Sequence, residues 1–213
     1  VEGASVDAPG FAAVRLALGR RRTQALERAE RDADGALGAV RESLAEGRSR
    51  LDAFALPRAG GRHRRGILLD GLESNYRRAR ADWKQARRSG ETEAFHDLRK
   101  RMKYLGMHLK LLEDIWPGPL GAMRDEADKV ADMLGRDHDY AVLRAEMEAE
   151  PAAFGPAGGR RTVLAALGRH AESLRADALA RTERLLAEKP GAFRDRLARF
   201  LEAAELPPAA FRD

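Results

Sequence analysis

Apolar residues recur along almost the whole chain at spacings of three and four, which is the period of an α-helix. No stretch shows the strict alternation of apolar and polar residues that is typical of a half-buried strand. Ala, Leu, Arg and Glu are abundant, and all four favour helix formation. The pattern predicts helices over residues 11–31, 34–54, 62–88, 91–115, 120–134, 139–150, 160–188 and 192–204.

Turn-forming residues separate most of these predicted helices. The breaks lie at residues 57–61, 89–90, 117–119, 135–138 and 190–191, and most contain Pro or Gly. Short connections between helices place them as antiparallel neighbours. The sequence therefore predicts an all-α fold, an antiparallel helical bundle.

Composition excludes several classes of protein. The chain has 213 residues, of which 44% are hydrophobic and 34% charged, so it is too apolar for a disordered protein. No apolar run approaches the roughly 20 residues that cross a bilayer. The absence of cysteine excludes a disulfide scaffold, a thiolate zinc site and a cysteine nucleophile. With no visible signal peptide, we expect a cytoplasmic protein without a membrane partner.

Positive charge is concentrated in one segment. The formal net charge is +5, yet 14 basic and six acidic residues lie between Arg62 and Lys110, so this segment carries +8 and the remainder −3. One concentrated basic segment in an otherwise neutral or acidic chain indicates a polyanionic partner.

The predicted helix at 91–115 divides into an apolar face and a basic face. At about 100° per residue, one face collects Leu98, Met102, Leu105, Leu109 and Leu112. The opposite face collects His96, Arg99, Lys100, Lys103 and Lys110. Like charges three and four residues apart on a helix repel by a few tenths of a kcal/mol per pair. Stability alone therefore does not explain the basic face, which indicates an anionic ligand.

The preceding helix, at 62–88, has the same two-faced pattern. Its apolar seam consists of Leu68, Leu72, Tyr76, Ala79, Trp83 and Ala86. Its basic face consists of Arg77, Arg80, Lys84 and Arg88. A single basic face is usually only solvated, but two adjacent ones can flank one groove if the helices pack antiparallel across the Ser89–Gly90 turn. Arg and Lys both bind phosphate oxygens, so we predict a phosphate-binding groove.

Three segments of the chain resemble the CHAD family, the conserved-histidine α-helical domains. His96, Arg99, Lys100 and Lys103 match the family's His-x-x-Arg-Lys-x-x-Lys helix. The run Leu134-Gly135-Arg136-Asp137-His138-Asp139 is similar to a second family segment, and Tyr76-Arg77-Arg78-Ala79-Arg80 to the preceding helix. The resemblance extends from about Leu68 to Met147.

The resemblance implies two pseudo-symmetric helical halves around a basic channel that binds inorganic polyphosphate. It also implies association with polyphosphate granules and no catalytic activity. Residues 62–206 would form the second half. Residues 1–56 would be a remnant or partner first half, because no His-x-x-Arg-Lys helix precedes Arg31. The basic helix faces and the resemblance together give the predicted polyphosphate-binding residues, which are His96, Arg99, Lys100, Lys103, Lys110, Arg77, Arg80, Lys84, Arg136 and His138.

Catalytic motifs and metal-ligand spacings are absent from the sequence. It holds no Gly-rich phosphate loop and no Gly-x-Ser-x-Gly elbow. Although His96 and His138 could ligate a metal in principle, no pair of histidines has the spacing of a ligand motif. We expect binding without catalysis, no cofactor and no metal. Asp137 and Asp139 are expected to cap the helix after the 135–138 break and to pair with nearby Arg or Lys.

Charge alone does not distinguish polyphosphate from nucleic acid, since both bind with strong salt dependence. Proteins that bind single strands usually offer aromatic platforms, whereas this chain is only 6% aromatic, and Tyr104 is the one ring beside the basic face. The scarcity of aromatic residues favours a ligand made only of phosphate. Nucleic acid and an acidic protein segment stay open as alternative partners.

Overall fold

The structure, a computed structural model, describes residues 9–53 and 61–205. Its α-helices are α1 (Pro9–Ala53), α2 (Gly61–Ser89), α3 (Thr92–Leu112), α4 (Pro117–Ala149), α5 (Ala157–Leu185) and α6 (Pro190–Glu205). Two short 3-10 turns follow α3 and α4, at Glu113–Ile115 and Pro151–Phe154. No strand occurs in the described residues, and the predicted all-α fold is confirmed. Residues 1–8, 54–60 and 206, which belong to the predicted halves or to the predicted break at 57–61, lie outside the described residues.

Two predicted breaks are absent, because α1 and α4 are continuous helices. α1 joins the predicted helices 11–31 and 34–54, and α4 runs through the predicted loop at 135–138. Neither segment contains Pro, and Gly or Asp inside a helix costs only about 1 kcal/mol relative to Ala. The predicted loop is wrong. So is the predicted capping by Asp137 and Asp139, since N–H groups inside a helix bond to its own carbonyls.

The chain forms two compact units. The larger unit consists of residues 61–145 and 167–205, and the smaller one of residues 9–53 and 146–166. α4 and α5 therefore each contribute residues to both units. None of the described helices combines the length and the apolar character needed to cross a membrane.

The core of the larger unit contains the apolar faces that the sequence predicts. On α3, Leu98, Met102, Leu105, Leu109 and Leu112 are at most 1% exposed. On α2, Leu72, Tyr76, Ala79 and Ala86 are buried, with Leu68 and Trp83 packed at the edge. α6 completes the core, because the Phe193 ring stacks on Tyr76 at 4.3 Å between centroids.

A tight turn brings α2 and α3 together. Gly90 adopts φ +67°, a conformation that glycine reaches without the steric penalty of a Cβ atom. The two helices are then linked by the Arg101–Asp82 ion pair (2.9 Å) and by Asn75, whose Nδ2 donates to the Arg101 carbonyl at 3.2 Å.

The smaller unit is built around the first turns of α1. Val14, Ala17, Met147, Phe154 and Val163 are at most 5% exposed. The backbones approach so closely that a Cβ atom on Gly10 would lie 2.6 Å from the Gly159 carbonyl oxygen. Arg21 pairs with Glu150 at 2.8 Å and also with Glu146. From Arg22 to Ala53, no described side chain of α1 is buried.

Candidate functional site

Two of the predicted binding residues meet where α3 packs beside α4. The rings of His96 on α3 and His138 on α4 lie 5.0 Å apart between centroids and are tilted by 36°. Arg99, one turn after His96, lies beside Gly135 of α4, where an added Cβ atom would be 3.3 Å from its Nε. The structure thus brings together residues of the two separate motifs that the sequence singles out.

This cluster contains buried nitrogen atoms without hydrogen-bond partners. Among the described residues, the His96 Nδ1 and the Arg99 Nε are both buried and unpartnered. Leaving a buried polar group unpaired costs about 1–3 kcal/mol, and more for a charged one. An anion at the edge of the cluster would supply the acceptor that the Arg99 guanidinium lacks.

Exposed cations surround the cluster. Lys103 on α3 and Arg136 on α4 are exposed and form no ion pair with a described residue. Lys100 pairs with Asp97 at 2.9 Å, but about half of each side chain stays exposed, so solvent weakens the pair. We call His96, Arg99, Lys100, Lys103, Arg136 and His138 the α3–α4 cationic surface.

The carboxylate of Asp128 interrupts the row of basic residues along α3. The Asp128 side chain of α4 lies over Gly106, where a Cβ atom would be 2.5 Å from its Oδ1. Gly106 is between Lys103 and Lys110 in the helix, so Asp128 places negative charge between these two lysines. Lys110 itself is exposed and, within the described residues, makes no ion pair.

Asp137, the buried acidic residue of the Leu134–Asp139 run, already has a cationic partner. Asp137 is 2% exposed and accepts a hydrogen bond from the Nε of Arg175 on α5 at 2.8 Å. Arg175 also donates to the Gly90 carbonyl and to the Thr92 hydroxyl, both at 2.9 Å. The predicted pairing of Asp137 with a basic residue is therefore present, and its partner holds the α2–α3 turn. No pattern in the sequence around Arg175 predicts its contact with Asp137.

The predicted binding residues on α2 have other neighbours. Arg80 donates to the backbone carbonyls of Leu186 and Glu188, which follow the end of α5, and Arg77 pairs with Glu73 at 2.6 Å. Lys84 is exposed in a cleft beside Trp83. Arg80 thus binds carbonyls of the connection between α5 and α6, and we leave it out of the proposed site. One groove shared by the basic faces of α2 and α3 stays a prediction.

No group of three or more His, Asp or Glu side chains in the described part of the chain could hold a metal ion. Burial, helped by the Glu188 charge, raises the pKa of the Tyr76 phenol above its usual value. Tyr76 lies in the core, away from the cationic surface, and so its shifted pKa concerns stability.

Comparison with known proteins identifies one family. The family model described as the CHAD domain matches residues 2–148, which include α2, α3 and nearly all of α4. All residues of the α3–α4 cationic surface fall in the match, whereas Arg175 lies after it. The match also begins well before Leu68, where the sequence resemblance starts. No curated protein and no solved structure matches the chain.

Proposed function

The chain belongs to the CHAD domain family, and from this premise we propose that it binds inorganic polyphosphate on the α3–α4 cationic surface, without catalysing a reaction. The observation that carries the proposal is the buried, unpartnered Nε of Arg99 beside the His96–His138 pair. Phosphate oxygens are among the best partners of a guanidinium, and Arg99, half-buried as a whole, forms no ion pair with a described residue.

The arrangement suits a polymer better than a single phosphate. Lys103 and Arg136 extend the positive charge beyond the cluster on two neighbouring helices, and neither has an acidic partner among the described residues. A chain of phosphates can contact several such cations at once, and each contact releases counterions. Lys110, Arg77 and Lys84 stay predicted contacts for a longer polymer. Localisation on polyphosphate granules would follow from such binding.

The scarcity of exposed aromatic side chains favours a ligand made only of phosphate over one that carries bases. Tyr104, 48% exposed, is the exposed aromatic residue next to Lys103 on α3. Trp116 is also exposed, but its ring packs edge-on against Phe200 at 4.9 Å. Single-strand binding usually depends on several stacking rings, each contributing about 1–3 kcal/mol per base. A single available ring among the residues that the structure describes supports a ligand without bases.

A competition titration tests the ligand class. Long-chain polyphosphate, single-stranded RNA and duplex DNA compete for the protein at near-physiological salt and equal phosphate concentration. We expect polyphosphate to bind at least about tenfold more tightly, a difference of about 1.4 kcal/mol. Equal or tighter binding of a nucleic acid would overturn the proposal and indicate a generic polyanion surface.

A pair of double variants tests the site. Lys100→Ala with Lys103→Ala removes two charges from the cationic surface, and we expect polyphosphate affinity to fall by about tenfold or more. Lys129→Ala with Lys189→Ala removes the same charge from exposed positions elsewhere and should change affinity little. Helical content, measured by circular dichroism, should be unchanged in both. Equal losses of affinity in the two variants would argue against a localised site.

A further inference from the structure

α1 carries an apolar stripe that nothing in the described structure covers. Leu26, Leu37, Val40, Leu44 and Leu51 are between 53% and 74% exposed. With the smaller Ala33 and Gly47, they recur at alternating spacings of three and four from residue 33 to residue 51. We call these seven residues the α1 stripe. They occupy the a and d positions of successive heptads, with Glu30 at the remaining a position.

This repeat indicates a helical partner. Heptads with apolar a and d positions form coiled coils, in which each stripe packs against another of the same period. A helix exposed on all sides gains little from its own hydrogen bonds, because most helical stability in proteins comes from packing an apolar face. The part of α1 from Arg22 to Ala53 buries no described side chain, so such a partner would stabilise it.

We propose that the α1 stripe binds the α1 stripe of a second copy of this chain, in the antiparallel direction. With the twofold axis between residues 38 and 39, every core layer combines complementary residues. The layers pair Leu37 with Val40, Ala33 with Leu44, and Leu26 with Leu51 of the second copy. The Ala33–Leu44 layer matches a small side chain with a large one, and the other two layers pair large apolar side chains. In this arrangement α1 presents the same surface to its partner that the partner presents to it.

Charges beside the stripe agree with this register. Glu27 and Arg48 occupy e positions, and the antiparallel register brings Glu27 next to Arg48 of the second copy. Glu30 falls opposite Gly47, where nothing lies within 4 Å of an added Cβ atom. Leu44, Leu51 and Arg50 line the cleft at Gly47, together with Arg48 and Asp52, which pair with each other. The cleft can therefore take the Glu30 stem, and Arg50, whose own pair with Glu46 is largely exposed and so weak, can pair with the Glu30 carboxylate.

A parallel pair of α1 helices would have a less favourable core, both in its charges and in its packing. It would place Glu30 against Glu30 inside the core, where like charges repel and lack a partner. It would also place Gly47 against Gly47 and leave a void, and voids lose packing contacts. The antiparallel arrangement avoids both defects.

Sedimentation velocity of the full chain tests association. Over concentrations from about 1 to 100 µM, we expect a monomer–dimer equilibrium for the wild type. Leu37→Glu with Leu44→Glu should weaken dimerisation by at least about tenfold. Leu111→Glu, at a 70% exposed position on α3, introduces the same residue outside the stripe and should leave dimerisation unchanged. A wild type that stays monomeric, or equal effects of the two changes, would overturn the proposal.

Disulfide trapping tests the direction, and the chain contains no natural cysteine to interfere. A Leu26→Cys chain is mixed with a tag-lengthened Leu51→Cys chain and mildly oxidised. The antiparallel register predicts that the mixed disulfide dominates. Disulfides formed only between like chains would show a parallel pair and overturn the register. In addition, Glu27→Arg and Arg48→Glu should each weaken the dimer, and the two together should restore it.

Discussion

Gly135 leaves room on α4 for the Arg99 guanidinium, whose Nε would lie 3.3 Å from a Cβ atom at that position. Most carbon–nitrogen contacts are longer, so a methyl group there would push the guanidinium away by a few tenths of an ångström. The glycine of the second motif therefore acts at the cationic surface through the position of Arg99.

Gly135→Ala is expected to separate stability from binding. Ala is favoured over Gly in a helix interior by up to about 1 kcal/mol, so the free energy of unfolding should be unchanged or slightly raised. Polyphosphate affinity should fall severalfold because Arg99 is displaced. Gly38→Ala on α1, where nothing lies within 4 Å of an added Cβ, is the matched control. Unchanged affinity in Gly135→Ala, measured by calorimetry, would argue against this role.

Arg175→Met is expected to destabilise the protein strongly. The change leaves Asp137, which is 2% exposed, without its ion-pair partner, and removing one partner of a buried pair costs about 3–5 kcal/mol. Arg175 is itself 22% exposed, so we expect the lower end of this range in urea denaturation. Adding Asp137→Asn should recover part of the loss. A loss of less than about 1 kcal/mol would contradict this account of the pair.

The sequence pattern predicts which residues share a face of a helix, but not which residues of other helices they contact. The spacing of His96, Arg99 and Lys103 on one face of α3 is local, so helical periodicity was sufficient to select them. The Asp137–Arg175 pair joins residues 38 positions apart, and nothing in the surrounding sequence specifies that contact. Arg80 has the same limitation, because its face on α2 was predictable whereas its neighbour, the end of α5, was not.

At the scale of elements, the end of α5 is held by side chains of α2. The Tyr76 hydroxyl donates to the carbonyls of Leu185 (3.2 Å) and Glu188 (3.4 Å), and Arg80 donates to those of Leu186 and Glu188. The last carbonyls of a helix have no partner within it. α2 therefore supplies the donors that terminate α5.

Tyr76→Phe is expected to alter the dependence of stability on pH. Because burial raises the pKa of Tyr76, the folded protein holds the phenol proton more tightly than the unfolded chain. Its contribution is complete below about pH 10 and is lost as the pH rises through the raised pKa. The variant should lose about 1 kcal/mol at pH 8, and its difference from the wild type should shrink at higher pH. An equal difference at pH 8 and pH 11 would contradict this.

Helix boundaries were predictable where Pro or a left-handed glycine ends a helix, and not elsewhere. The predicted break at Ser89–Gly90 is present, because Gly90 adopts φ +67°. The break predicted in α4 rested on Gly and Asp, whose helix penalties are small enough for context to override. In α4, Gly135 lies inside the continuous helix and beside the Arg99 side chain.

For the whole molecule, salt is expected to control polyphosphate binding. Cations that replace counterions on a phosphate polymer make the logarithm of affinity fall linearly with the logarithm of salt concentration. Titrations between about 50 and 200 mM salt should show this fall. The slope should decrease by about two in the Lys100→Ala, Lys103→Ala variant, since each lost phosphate contact reduces it by about one. An unchanged slope would mean that these lysines do not contact phosphate.

The contact between Tyr76 and the end of α5 spans 109 residues of sequence. During synthesis, α2, α3 and α4 leave the ribosome before α5 and α6, so the apolar seam of α2 has no complete cover at that stage. Phe193 and Leu197, both at most 1% exposed in the finished fold, are made only later. Until then the apolar residues that they cover stay exposed on the growing chain. The apolar seam of α2 therefore gains its full cover only when α6 has emerged.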